Sequence, residues 1–210
     1  MPDFTILGRG RVGRALAQAW CGRIPLLPGS ATPEGLVLLA LPDRALEGAA
    51  QRFPGRCVHL SGSLQLEGVP SAHPLASFTG AVADWQGVPL ALTGSVPAVV
   101  VQAFRDLGFL PFDLAPAHKA LYHACAVLTS GHAATLWLGA QALLAREGIS
   151  LPGRGLMALA QGTQANVEAL GEGGRTGPFV RQDLETILRD ADALPEPWRH
   201  LFLVLGRALD

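Results

Sequence analysis

Residues 4–20 constrain this chain more than any other stretch. Phe4-Thr5-Ile6-Leu7 is a short apolar run of strand type, Gly8-Arg9-Gly10-Arg11-Val12-Gly13 follows at once, and residues 14–20 are rich in Ala and Leu and of helical character. Strand, glycine turn and helix in that order predict a dinucleotide site. The first glycine permits the tight turn, the second lets a pyrophosphate approach the backbone, and the third lets helix and strand pack closely. The helix start then aims unsatisfied N–H groups and a positive dipole end at the phosphates. Gly8, Arg9, Gly10, Arg11, Val12 and Gly13 are therefore expected to hold the cofactor.

The rest of the first half is consistent with that start. Residues 24–27 suggest a second strand cut short, since Pro25 cannot donate to a ladder, and Pro28-Gly29-Ser30 turns. An NAD site would place an acid about twenty residues past the glycine turn to hold the ribose hydroxyls. Here no acid occurs before Glu34. Without that repulsion toward a 2′-phosphate, and with Ser30, Thr32 and Arg9 as donors, NADP is expected rather than NAD. Residues 36–41 form a continuous apolar run, typical of a strand buried on both faces. Pro42-Asp43 ends it, residues 44–53 look helical, and residues 57–60 are the next strand. Ligands in such sheets sit beyond the carboxyl ends of strands, so Leu41, Pro42 and Ser61-Gly62-Ser63 should line the crevice. Ala72-His73-Pro74-Leu75 reads as a turn near it. Strands at 88–93 and 109–112 flank a helix at 97–107. The alternation predicts a parallel, doubly wound sheet.

The pattern changes near Asp113, which divides a dinucleotide-binding domain (1–114) from an all-helical one (115–210). A long helix is expected from 116 to 147, with Gly148 as its stop. Some thirty residues at this rise span roughly 45 Å, enough to reach a second subunit, and a homodimer through the C-terminal helices is expected. Residues 120–145 contain no Asp, Glu, Lys or Arg. His123, Ser130, His132 and Gln141 interrupt that run and no basic flank orients it, so a buried helix is a better reading than a membrane span. Further helices are expected from Pro152 to Gly171, over 179–189 and over 198–209, with a glycine-rich loop at 171–178.

Composition removes other classes. Of 210 residues, 49% are apolar and 16% charged, so a large core is affordable and disorder is not expected. A net charge of −1 gives no electrostatic case for nucleic acid. Three scattered cysteines with no C-x-x-C argue for neither a metal site nor a disulfide framework. No secretory signal is seen at the Met1 end, and a reduced cytoplasmic compartment is expected.

Fifteen of the sixteen nitrogen cations are Arg, and Lys119 is the single lysine. Arg cannot titrate near neutrality, whereas a buried Lys can. His123 lies four residues on, one turn away on the same helix face, and Ser130 lies further along that face. Lys and His each disfavour the other's protonation, as does burial. A proton could then be traded near pH 7, which suits general acid catalysis. Lys119 and His123 are the expected catalytic pair, whereas His132 points away and suits a core or interface. His73 should fall near the crevice. Arg181 could hold a substrate carboxylate with its forked donors, although residues placed like Arg181 and Asp183 more often cap and pair within a helix.

Gly8-x-Gly10-x-x-Gly13, Leu41-Pro42-Asp43, His59-Leu60-Ser61-Gly62, Ala72-His73-Pro74-Leu75, Lys119-x-x-x-His123 and Thr176-Gly177-Pro178-x-x-Arg181-x-Asp183 together carry a resemblance. The chain resembles a poorly characterised family with a Rossmann-like NADP-binding domain and a helical C-terminal domain. Its relatives include pyrroline-5-carboxylate reductase, prephenate dehydrogenase and the β-hydroxyacid dehydrogenases. The resemblance implies a helical half like the C-terminal domain of 6-phosphogluconate dehydrogenase, a role in dimerisation, and oxidoreductase activity. In the β-hydroxyacid dehydrogenases a Lys-x-x-x-Asn pair serves the reaction. Lys119 matches that lysine and His123 replaces the Asn.

The expected function is NADP(H)-dependent hydride transfer to or from a small carbonyl or imine compound bearing a carboxylate. Ser61, Gly62, Ser63, His73, Ser130 and Arg181 are expected to meet the substrate. A dinucleotide-binding sensor without turnover, or an interaction protein, is the alternative.

Overall fold

The computed structural model describes residues 4–208. They pack as two compact units, which divide between Ala133 and Ala134. The first unit opens with β1 (Thr5–Leu7), α1 (Arg11–Ala19), β2 (Leu26–Leu27), β3 (Val37–Leu39), α2 (Asp43–Gln51) and β4 (Cys57–His59). It continues through β5 (Ser71–Pro74), β6 (Pro89–Thr93), α3 (Ala98–Arg105), β7 (Leu110–Asp113) and α4 (Lys119–Val127). The seven strands form one sheet in the order β2-β1-β3-β4-β5-β6-β7. The chain steps from β1 to β2 on one side and returns to β3 on the other, so the order reverses at β1. A crevice between the carboxyl ends of β1 and β3 is where such sheets take ligands.

Side-chain alternation along the strands builds two cores. Ile6, Leu38 and Val58 pack with Leu16 of α1 and Val100 and Phe104 of α3. Leu7, Val37 and Leu39 pack with Leu46 and Ala49 of α2. In the first core Trp20 meets Phe4 and Phe104 edge-on, with centroids 5.6 and 5.4 Å away, and its indole N–H donates to the Ala103 carbonyl. That bond lets a large amphipathic ring be buried without an orphaned donor.

The sheet is doubly wound as expected, with one departure. Ala72-His73-Pro74 is not a turn but lies in β5, and β5 runs antiparallel to β6. The other strand pairs of the sheet are parallel. Pro74 is tolerated because Leu90 sits across from it at the end of the ladder. The shortened β2 is real and no helix joins it to β3. Two arginines stitch that bare connection. Arg52 donates to the carbonyls of Gly29, Ser30 and Ala31, and Arg56 to those of Pro33 and Gly35.

The expected long helix is present as consecutive pieces. A 3₁₀ turn, Pro116–His118, leads into α4, a π segment follows at Leu128–His132, and α5 (Ala133–Arg146) continues it. The π segment falls where Thr129 and Ser130 turn their hydroxyls back onto the carbonyls of Cys125 and Ala126, a local competition that loosens α-helical pairing. His132 is exposed rather than a core residue. No helix among the described residues is long and apolar enough to cross a membrane.

The second unit adds α6 (Leu156–Leu170), a 3₁₀ turn at Gly171–Gly174, α7 (Leu184–Asp192) and α8 (Trp198–Gly206). Two expected starts shift. The helix placed at Pro152 begins at Leu156, after Gly155 at φ 50°, and the helix placed at Phe179 begins at Leu184. Gln182 at φ 55° is left-handed, and Asp183 accepts from the Thr186 N–H as an N-cap. Within this unit Trp198 lies against Gly139, where any side chain would collide with the indole. Leu209, the expected end of the last helix, lies outside the described residues.

Candidate functional site

The glycine turn is built as its spacing demands. Gly8 has φ 124°, and a Cβ there would strike the Ala40 carbonyl oxygen. Its N–H donates to Leu27, and the Ala40 N–H donates to Leu7. The turn is thus pinned to β2 and to the end of β3, and only glycine fits. A Cβ on Gly13 would meet the Gly8 carbonyl, which is the close helix–strand approach expected of the third glycine. Gly10 faces open space and no side chain caps α1. Among the described residues the N–H groups of Arg11, Val12 and Gly13 meet no protein acceptor. Three free donors, a positive dipole end and an open glycine make a cradle that fits a diphosphate. Leu41 closes the far wall, its side chain within 3.1 Å of where a Cβ on Gly8 would sit and 3.0 Å of one on Gly29. Ser30 is exposed beyond it, and the loop from Pro28 to Pro33 carries no acid.

A second cluster lies past β4. Ser61 and Gly62 are buried, and a Cβ on Gly62 would sit 2.7 Å from His73 Nε2 and 2.8 Å from His123 Cδ2. Two imidazoles therefore press on one glycine. Their ring centroids are 6.1 Å apart, and His73 Nδ1 is hydrogen-bonded at 3.0 Å to the Tyr122 hydroxyl. Burial, with His123 and Lys119 adding to it against a pull from Asp43, pushes His73 down to about 4. Burial lifts Tyr122 to about 12. At neutral pH both are uncharged.

Lys119 is only 2% exposed. Its ammonium donates to the Ser61 carbonyl at 3.0 Å and to Ser71 Oγ at 2.5 Å. Burial lowers it to about 8, opposed by the charge of Asp43. Asp43 in turn accepts from Ser63 Oγ at 3.1 Å. Behind them His59, 1% exposed, accepts the Ser61 N–H on Nδ1 at 3.3 Å. The Ser61 hydroxyl accepts from the Leu64 N–H.

A cavity of about 420 Å³ gathers part of the predicted set. Arg11 and Val12 from the start of α1, His73 from β5, and His123 and Ser130 from the α4 side all line it. Lys119 does not. It lines a different cavity of about 440 Å³, together with His59 and Ser71. Arg181 is exposed in the second unit. No group of three or more His, Cys, Asp or Glu is set to hold a metal ion among the described residues.

Sequence reasoning singled out neither Tyr122 nor Ser71, and took His59 only as part of a motif. Tyr122 carried one usable signal: it is the sole tyrosine and adjoins His123. Ser71 carried none, because its role depends on a lysine 48 residues away.

A family described as "Domain of unknown function (DUF2520)" matches residues 88–209. No curated protein matches the chain. Three solved structures share its fold at low identity. A Bacteroides fragilis protein with a provisional NADP oxidoreductase assignment is 18% identical, with TM-score 0.80 over 98% of this chain and 96% of its own. A Thermotoga maritima protein is 19% identical, with TM-score 0.75 over 98% and 96%. A reductive aminase from Aspergillus terreus, in complex with NADPH and ethyl levulinate, is 17% identical, with TM-score 0.65 over 100% and 94%.

Proposed function

The chain belongs to the DUF2520 family, and from that premise and its site we propose that it is an NADP(H)-dependent oxidoreductase acting on the C=O or C=N bond of a small compound. One observation carries the reading. The helix start that offers free N–H groups, the His123 imidazole assigned the proton and the neutral His73 ring line a single cavity of small-molecule size. The NADPH complex of the Aspergillus terreus reductive aminase, which shares the fold, supports the choice of cofactor.

The cofactor, when bound, supplies the hydride. The chain's residues do the rest. N–H groups at Arg11, Val12 and Gly13 hold the diphosphate, Ser30 and Arg9 serve the 2′-phosphate, and Leu41 and Pro42 wall the crevice. Ser61, Gly62 and Ser63 shape its floor. His123 holds the proton that the substrate's oxygen or nitrogen takes up as the neighbouring carbon is reduced. His73, neutral and tied to Tyr122, keeps a polar but uncharged wall beside it. Lys119 positions Ser61 and Gly62 through the Ser61 carbonyl, in place of the expected direct proton donation. Ser130, which lines the same cavity, is the candidate for a substrate carboxylate.

The helical half supports a homodimer. From Gln161 to Leu170 every residue of α6 is exposed, among them Val167 and Leu170. A helix that buries no side chain lacks the tertiary packing that stabilises most helices in proteins. A second copy of the chain covers it in this reading.

NADPH oxidation measured over keto acids, cyclic imines and ketone–amine mixtures tests the assignment. His123→Asn should lower kcat by about 10²–10⁴ with the melting temperature unchanged. The absence of both turnover and an NADPH-dependent melting shift would remove the oxidoreductase reading. Equal turnover by His123→Asn would remove only the proton assignment.

A further inference from the structure

The cavity beside Lys119 is separate from the one next to the cofactor cradle. It shares no lining residue with the cavity that holds His73 and His123. It opens beside β4, under the start of β5, where the loop from Gln65 to Pro70 wraps the sheet. Its walls include Leu36, Leu66 and Val69, while its polar end consists of Lys119, His59 and Ser71, all at least 98% buried. Thr93, Ser95 and Gln65 add neutral polar groups.

The charge balance of this lining is one-sided. It contains an ammonium and no Asp or Glu. The carboxylate whose charge reaches Lys119, Asp43, does not line the cavity and forms no ion pair with it among the described residues. Two of the three ammonium N–H bonds are used on Ser61 and Ser71, which leaves one donor. His59 accepts on Nδ1, so a neutral ring carries its proton on Nε2 and is a second donor at the same end. A buried cation with donors around it and no counter-ion is costly unless something of opposite charge arrives.

We propose that this cavity is a second binding site, for a small oxyanion, held by the Lys119 ammonium with His59 and Ser71 beside it. A carboxylic acid of a few carbons or inorganic phosphate fits both the volume and the chemistry. The inference does not depend on the oxidoreductase reading, since its cavity shares no lining residue with the one that holds His73 and His123, although Lys119 also bonds the Ser61 carbonyl.

Lys119 is the single lysine of the chain. Protein labelled with ¹³C at the lysine ε-carbon gives one resonance, and its pH titration reports this ammonium alone. The midpoint is expected near 8 without an anion. Acetate, succinate and inorganic phosphate are the probes. An anion that prefers the ammonium over the amine tenfold moves the midpoint up by about one unit. The shift should saturate, and the same anion should raise the melting temperature of the wild type and not of Lys119→Met. Movement by succinate alone names a carboxylate, and movement by phosphate as well names oxyanions generally. A midpoint unmoved by all three probes overturns the proposal. So does a melting shift shared equally by Lys119→Met, which would place the anion at the glycine turn instead. Should Lys119→Met fail to fold, the titration of the wild type still decides.

Discussion

Acid should weaken this fold between pH 7 and pH 5, and His59 is the place to test it. The ring is 1% exposed, and burial, the Lys119 ammonium and to a lesser degree His73 push it to about 4, with Asp43 pulling the other way. The unfolded chain takes up that proton near 6.5, its unperturbed value. Between the two values the unfolded state binds more protons than the folded one, so stability rises with pH and is lost on acidification. A difference of that size corresponds to about 3 kcal/mol in full, of which about 2 kcal/mol is gone between pH 7 and pH 5. His73, lowered to the same range, acts in the same direction. Asp183 is the carboxylate held below its usual value, and it stays ionised across that window. Urea unfolding followed by tryptophan fluorescence at pH 7 and pH 5 measures the loss. His59→Asn keeps an acceptor near the Nδ1 position and carries no titratable group, so its loss over the same interval should be about 2 kcal/mol smaller than that of the wild type. If both proteins lose the same amount, His59 is not the buried neutral group described here.

Gly62→Ala puts a methyl group 2.7–2.8 Å from both imidazoles. It should cost about 1–3 kcal/mol, as overpacking does, and depress NADPH turnover by displacing His123; thermal melting and steady-state rates check the two effects. The pair Leu159→Glu and Val167→Glu on α6, at positions 68% and 44% exposed, should halve the mass seen in size-exclusion chromatography coupled to light scattering and leave the helical circular dichroism intact. A monomeric wild type would refute that account of α6.

What could be read from the chain was what is local. The glycine turn needs only neighbours in sequence, and even β2 was visible as two good strand residues after Pro25. The antiparallel β5 was not, because Ser71–Pro74 lies between Pro70 and Leu75 and has no strand-like pattern of its own. It becomes a strand through Leu90, Ala91, Leu92 and Thr93 across the ladder. The late helix starts misled for a related reason. Pro152 is a good first-turn residue in isolation and residues 179–189 read as helical, yet the left-handed backbone at Gly155 and Gln182 delays both helices. Lys119 stood out by being the one lysine, but nothing in its surroundings along the chain pointed to Ser61 or Ser71, 58 and 48 residues away.

Those two partners change what the lysine can do. An ammonium free in the crevice would compete with His123 for the reacting proton. Bonded to the Ser61 carbonyl it acts instead on backbone, and the next residue is the glycine against which both His73 and His123 rest. Ser61 is held three ways, by its carbonyl to Lys119, its N–H to His59 and its hydroxyl from Leu64. Any charge arriving at Lys119 from the far cavity must pull against the first of these. A segment packed so closely has little room for graded movement, so a charge held at Lys119 would act on the seat of the two imidazoles at Gly62. Binding at one face of this short segment and proton handling at the other are then coupled through a single hydrogen bond, and by linkage the coupling runs both ways: a ligand that reseats His123 must alter the affinity of Lys119 for its anion by the same factor.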